Sequence, residues 1–269
     1  MRARLAFTFV VVLAWSVGAG AQEQPPPNAT ALSKQTQNPV GDLTSIPFQF
    51  NFFSGGGLGK QSELLLNFQP VVPFKTTTGY TLIARTIIPY VTIPLPDGTR
   101  QSGLADIQEQ LFVTPAVPGK IIWGVGPVLS FPTATNSAAS TGDWGFGPAV
   151  VVVQMKGPFV YGALLDQVWT IFGPGGHSEL NQLTFQPFVN FNFGLGWAVG
   201  TSPLLTANWS GANGTQWTVP LGLGISKVTA IGHQPVQLGL QYYNNVARPT
   251  SAGRDQIRLT ISLLYPVAK

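Results

Sequence analysis

The sequence predicts an all-β protein, a transmembrane antiparallel up-and-down β-barrel of about twelve strands. Three observations predict it. Charged side chains make up only 9% of the 269 residues, against about 25% in ordinary soluble domains. Glycine and proline number 31 and 23, and in helix interiors they cost about 1 and 3 kcal/mol each. Apolar residues recur at every second position through segments of about ten residues, the pattern of strands with one side in lipid. A hydrophobic content of 44% excludes a disordered chain. The absence of cysteine excludes disulfides, thiolate catalysis and Cys-based metal sites.

Residues 1–21 read as a signal peptide. Arg2 and Arg4 form a basic start, residues 5–17 an apolar stretch too short to span a bilayer, and Ala19-Gly20-Ala21 a small-residue cleavage site. Removing them lowers the formal net charge from +4 to +2, so the basic pI is no argument for nucleic-acid binding. Residues 22–41, with Pro25-Pro26-Pro27, read as a periplasmic N-terminal segment that holds one short helix or supplies a plug. The barrel is expected over residues 42–269.

The first strand is expected at 44–53, where Ile46, Phe48, Phe50 and Phe52 alternate with Ser45, Pro47, Gln49 and Asn51. Strands at 62–72, 80–90, 103–114 and 120–131 follow, then 143–155 with its unbroken apolar run 150–153, and 159–171. In 181–193, Leu183, Phe185, Val189, Phe191 and Phe193 share one face, and Phe188 alone breaks the polar one. Next come 196–206, with Pro203 near its end, and 215–227, where Trp217, Val219, Leu221, Leu223 and Ile225 alternate with small or polar residues. Strands at 235–244 and 255–266 complete an even number, as a closed barrel with both chain ends on one side requires. Even-numbered connections are short and odd-numbered ones long, matching periplasmic turns and outer loops.

Charges inside strands should point inward, because basic residues facing lipid at mid-bilayer cost about 2–4 kcal/mol. Parity turns Arg85, Asp106, Asp166 and Arg258 inward but puts Glu109 on the apolar face with Ile107 and Leu111. A bulge near Gly103, or a position close to the interface, would account for it. The expected lumen-lining residues are Gln49, Asn51, Asn67, Gln69, Arg85, Asp106, Gln108, Gln110, Asp166, Gln186, Asn190, Asn192 and Arg258. Arg85 and Asp106 lie on neighbouring strands and are expected to pair, either constricting the passage and binding a polar solute or filling a small barrel structurally. Aromatic residues near strand ends, among them Phe53, Tyr80, Tyr90, Trp123, Trp144, Trp169 and Tyr265, suit interface girdles.

Little in the sequence points to catalysis. His177 and His233 fall in connections without a carboxylate cluster, so no metal site, cofactor or catalytic residue is expected. An outer-membrane lipid hydrolase would need one of these histidines and a serine that nothing singles out. Gly124-Val125-Gly126 and Gly222-Leu223-Gly224 lie in alternating strands without the helix a dinucleotide site needs.

Several stretches carry a family resemblance: Leu32-Ser33-Lys34-Gln35-Thr36-Gln37-Asn38-Pro39-Val40-Gly41-Asp42-Leu43, Asn67-Phe68-Gln69-Pro70-Val71-Val72-Pro73-Phe74, Gly103-Leu104-Ala105-Asp106-Ile107, Trp123-Gly124-Val125-Gly126-Pro127 and Gln216-Trp217-Thr218-Val219-Pro220-Leu221. With these the chain resembles a bacterial outer-membrane barrel family often labelled transporter or "neuromedin U"-like, related to phenol-degradation meta-pathway barrel proteins. Ala105, where relatives usually have glycine, and the tail beyond Tyr265 depart from the pattern. The resemblance implies an outer-membrane barrel with a transport role and no established catalytic residues. The function expected is passive passage of small solutes, aromatic or hydrophobic ones among them. The alternative is a structural or adhesive barrel with a blocked lumen. Expected partners are outer-membrane lipid, a small-molecule solute and the outer-membrane assembly machinery, with no nucleic acid.

Overall fold

An apolar strand face turned to lipid leaves the backbone no water to bond, so every N–H and C=O must be satisfied within the sheet, and the sheet must close. The computed structural model describes residues 28–56, 62–95, 97–135, 139–140, 142–173, 179–211 and 216–266. The expected signal peptide and His177 lie outside the described residues. In chain order the elements are α1 (Ala29–Thr36), β1 (Leu43–Ser54), β2 (Glu63–Phe68), β3 (Val71–Lys75), β4 (Tyr80–Pro94), β5 (Arg100–Leu104), β6 (Ile107–Pro115), β7 (Ile121–Phe131), β8 (Trp144–Lys156), β9 (Phe159–Phe172), β10 (Asn181–Gly194), β11 (Trp197–Thr201), β12 (Leu205–Asn208), β13 (Trp217–Ile231), β14 (Gln234–Ala247) and β15 (Asp255–Pro266). All pairings are antiparallel, and the circuit closes through β9–β10 and β15–β1.

The fifteen segments make twelve staves. β2 and β3 both lie between β1 and β4, β5 and β6 both pair with β4, and β11 and β12 both lie between β10 and β13. The interruptions fall at 69–70, 105–106 and 202–204. Two of them hold a proline, Pro70 and Pro203, which has no N–H to give a ladder. Turns of a few residues join the staves at one end, longer loops at the other, and β1 and β15 begin and end at the short-turn end. No helix among the described residues is long and apolar enough to cross a membrane; crossing falls to the strands.

The outer face is apolar. Even β8, where 150–153 is apolar throughout, alternates strictly: Phe146, Val150 and Val152 are exposed while Gly147, Ala149, Val151 and Val153 are buried. Leu221, Leu223, Leu238, Leu240, Ile257 and Leu259 continue this surface around β13 to β15. Aromatic pairs band both ends. Phe159–Phe191 and Phe193–Trp197 lie near the short turns, and Trp144–Phe172 and Trp209–Trp217 near the long loops. A closed barrel with this exterior is an outer-membrane β-barrel. Phe53 departs from the girdle pattern and faces the lumen instead.

One side of the interior is dry. Ile83, Phe112, Val128, Val151, Val153, Val160, Leu164 and Phe188 form a buried apolar cluster across β4 and β6–β10, joined by Val40 from the segment before β1. Phe188, the misfit on the polar face of β10, belongs here. It leans over Gly162 of β9, where a Cβ would come within 2.8 Å of its ring.

Glu109 stays on the outer face, in the middle of the stave formed by β5 and β6. Its register partners are Thr86 and Leu129, and Thr86 Oγ1 donates to Glu109 Oε2 at 2.5 Å. The break at 105–106 does not reverse its direction, because Asp106, Gln108 and Gln110 all line the lumen. Carboxylate Oε1 is buried with no partner among the described residues. Acidic groups on the lipid face cost less than basic ones but still cost, so Glu109→Leu is expected to stabilise the barrel by about 1–2 kcal/mol. Denaturant unfolding in lipid vesicles measures it, and a loss of stability would assign Glu109 a compensating contact.

Candidate functional site

Inward-facing amides leave the rest of the interior wet. Among its cavities, two meet at a waist. The larger, about 430 Å³, lies toward the long loops, and the smaller, about 190 Å³, toward the short turns. Gln49, Gln69, Arg85, Gln186 and Arg258 line both and so form the waist.

Of the thirteen expected lumen residues, twelve line one cavity or both. Asn51, Asn67, Asp106, Gln108, Gln110 and Asp166 line the upper chamber, Asn190 the lower, and the five waist residues complete the set. Asn192 is the exception. It is buried under α1: Ser33 Oγ donates to its Oδ1 at 2.8 Å, its Nδ2 donates to Gln37 Oε1 at 3.0 Å and to the Pro158 carbonyl at 3.0 Å, and Gln37 Nε2 returns a bond at 3.1 Å. Lys34 Nζ also donates to the Gly157 carbonyl at 2.8 Å. Ala29 and Leu32 pack with Leu43, Val228 and Leu264. The helix therefore sits across the short-turn mouth, and Gln35, Gln37 and Asn38 at its end line the lower chamber.

Arg85 does not find the partner expected of it. Its Nη1 donates to Gln110 Oε1 at 2.9 Å, and Gln110 Nε2 donates to Asp166 Oδ2 at 2.9 Å, so an amide stands between the guanidinium and its nearest carboxylate. Asp106 instead holds the loop after β7, accepting from the Ala134 N–H at 3.1 Å and from Ser140 Oγ at 3.2 Å. Period-two parity states which face a residue takes, not which residue it meets.

Arg258 is the centre of the second network. It lies 94% buried, with relative exposure of 6%. Its Nε donates to Asn51 Oδ1 at 2.9 Å and its Nη1 to the Ser202 carbonyl at 3.1 Å and Gln241 Oε1 at 3.4 Å, while the guanidinium lies 5.2 Å from the Tyr243 ring centre. The Ser202 carbonyl is reachable because the stave breaks there, between β11 and β12. Gln186 Nε2 donates to Ser202 Oγ at 2.8 Å, and the Ser202 N–H donates to Tyr243 Oη at 3.0 Å. Gln237, Gln241, Tyr243, Asn245 and Gln256 are inward residues not among the expected set. The same alternation that marks Leu238, Leu240 and Tyr242 as outward would have found the first four.

His233 sits exposed in the turn between β13 and β14. Among the described residues it makes no hydrogen bond to a serine or carboxylate, and no three potential metal ligands gather.

No protein-family model and no curated protein matches the chain. Among solved structures it is similar to the COG4313 outer membrane channel from Pseudomonas putida F1, at 11% identity over 83% of this chain and 94% of that one, with a TM-score of 0.60. It is also similar to the NanC porin, at 10% identity over 83% of this chain and 100% of that one, with a TM-score of 0.51. At such identities the likeness is one of fold alone, that of a closed outer-membrane β-barrel.

Proposed function

We propose that the chain is an outer-membrane channel that passively passes small solutes, aromatic or otherwise hydrophobic ones among them, and that it is a member of the "neuromedin U"-like barrel family its motifs resemble. One observation carries the reading: two polar-lined chambers run from the loop end to α1 and share a waist, with twelve of the thirteen expected residues along them. Twelve staves lie between small barrels filled by side chains and open porins of 16–18 strands. A narrow passage with one packed side is what that size permits. Residues 28–41, the described part of the segment expected over 22–41, act as a plug at the periplasmic mouth, the long loops face outward, and the mature barrel reaches its membrane through the export and assembly machinery.

The seat of α1 favours a second reading, a structural or adhesive barrel whose lumen stays blocked. Current through planar bilayers and swelling of liposomes holding the purified full chain separate the two. Discrete conductance steps and entry of small aromatic solutes are expected. A folded protein with neither would leave the blocked barrel.

A further inference from the structure

Every charged side chain on the lower chamber is an arginine. Arg85 and Arg258 line it, and its remaining lining is neutral, mostly amides and hydroxyls, with no carboxylate among the described residues. A buried cation normally has a paired anion or a full set of acceptors. Arg258 has neither: Asn51, Ser202 and Gln241 take only Nε and Nη1, all three acceptors are uncharged, and Nη2 has no acceptor among the described residues. Arg85 gives a single bond, to Gln110, and no carboxylate lies within ion-pair distance of either guanidinium among the described residues. Two five-donor forks thus face one wet waist with donors to spare.

We infer that this waist is a binding site for the carboxylate of a small organic anion, held by Arg258 and Arg85. Guanidinium planes match carboxylate geometry and hold it through parallel N–H···O bonds. The walls on either side suit an apolar body behind the charge, with Leu65, Ile87, Leu164 and Leu204 above the waist and Val71 and Phe188 below it. The lower chamber is smaller than pockets for drug-sized ligands, about 300–1,000 Å³, which limits the ligand to one of about a single ring. As the identity of a transported solute, the inference rests on the channel reading; as a binding site, it stands apart from it.

The test uses the full chain in detergent, titrated calorimetrically with benzoate and with benzamide, which keeps the shape and loses the charge. Benzoate is expected to bind at least about tenfold more tightly than benzamide, the scale of a charge-assisted bond. Arg85→Gln and Arg258→Gln are each expected to weaken benzoate by about tenfold or more while leaving benzamide unchanged. Arg258→Gln also removes a partner from Asn51 and Ser202 and can disturb assembly. Arg85→Gln, with one bond to lose, and the wild-type comparison carry the test without it. Equal binding of the two probes, or undiminished benzoate binding by a folded Arg85→Gln protein, overturns the site. Bilayer recordings of the same preparation keep the two claims apart. A protein that conducts but does not distinguish the probes loses the site and keeps the channel, and one that binds benzoate but passes no current keeps the site and loses the channel.

Discussion

Deleting residues 28–38 is expected to raise unit conductance severalfold and to admit larger solutes to liposomes, while the barrel still folds. The deletion removes α1 and its hydrogen bonds to Asn192, Gly157 and Gly196 but keeps Val40, which belongs to the dry cluster on the far side of the lumen. Folding survives because the closing pair β1–β15 begins at Leu43, after the deleted segment. The helix itself is held by a handful of bonds worth about 0.5–1.5 kcal/mol each and by burial of Leu32, about 1.5–3 kcal/mol. Such a seat is firm but separable from the barrel. Asn192→Ala, which loses Ser33, Gln37 and Pro158 at once, is expected to give part of the same gain. Because the chain has no cysteine, a Ser33→Cys, Asn192→Cys pair offers an unambiguous cross-link, and oxidation should hold conductance at its lowest level. Unchanged conductance on deletion would mean that α1 does not limit the passage.

The alternation that makes the outside legible is also why the inside is only half legible. Period two assigns a face, and for Gln49, Arg85, Asp166 and Arg258 that sufficed to place them on the lumen. It carries no depth, so Asn190 and Asn192, two residues apart on one face, end up in different places, one on the lower chamber and one locked under a helix. Nor does it report distance across the barrel. Arg85 and Asp106 were neighbours by strand order, yet the first turned to Gln110 and the second to the loop after β7. The stave breaks at 105–106 and 202–204 change which backbone groups reach inward, and Arg258 depends on the second of them through the Ser202 carbonyl. Apolar inward residues were the hardest to read. Val151 and Val153 resemble outward ones in kind, and only the closed barrel shows that β6–β9 pack a dry wall while β13–β15 and β1 keep amides inside.

That division sets the second large effect. Gly126 of β7 and Gly147 of β8 lie in the packed wall, where a Cβ would stand 1.7 Å from the carbonyl oxygens of Leu111 and Gln167. No side-chain rotation relieves a clash with backbone, so the strands must part and surrender ladder bonds in a medium that offers no water in exchange. Gly126→Ala and Gly147→Ala are each expected to cost more than the about 1–3 kcal/mol of ordinary overpacking and to prevent assembly. The folded form that resists detergent before heating should be lost from gels. Gly239 of β14 lines the lower chamber, and a Cβ there would meet Thr260 at 3.6 Å and Ser226 at 3.7 Å, ordinary contact. Gly239→Ala should therefore assemble as well as the parent chain. Equal behaviour of the three variants would show that the two sides of the lumen are packed alike, and the narrow passage proposed along the wet side would lose its structural basis.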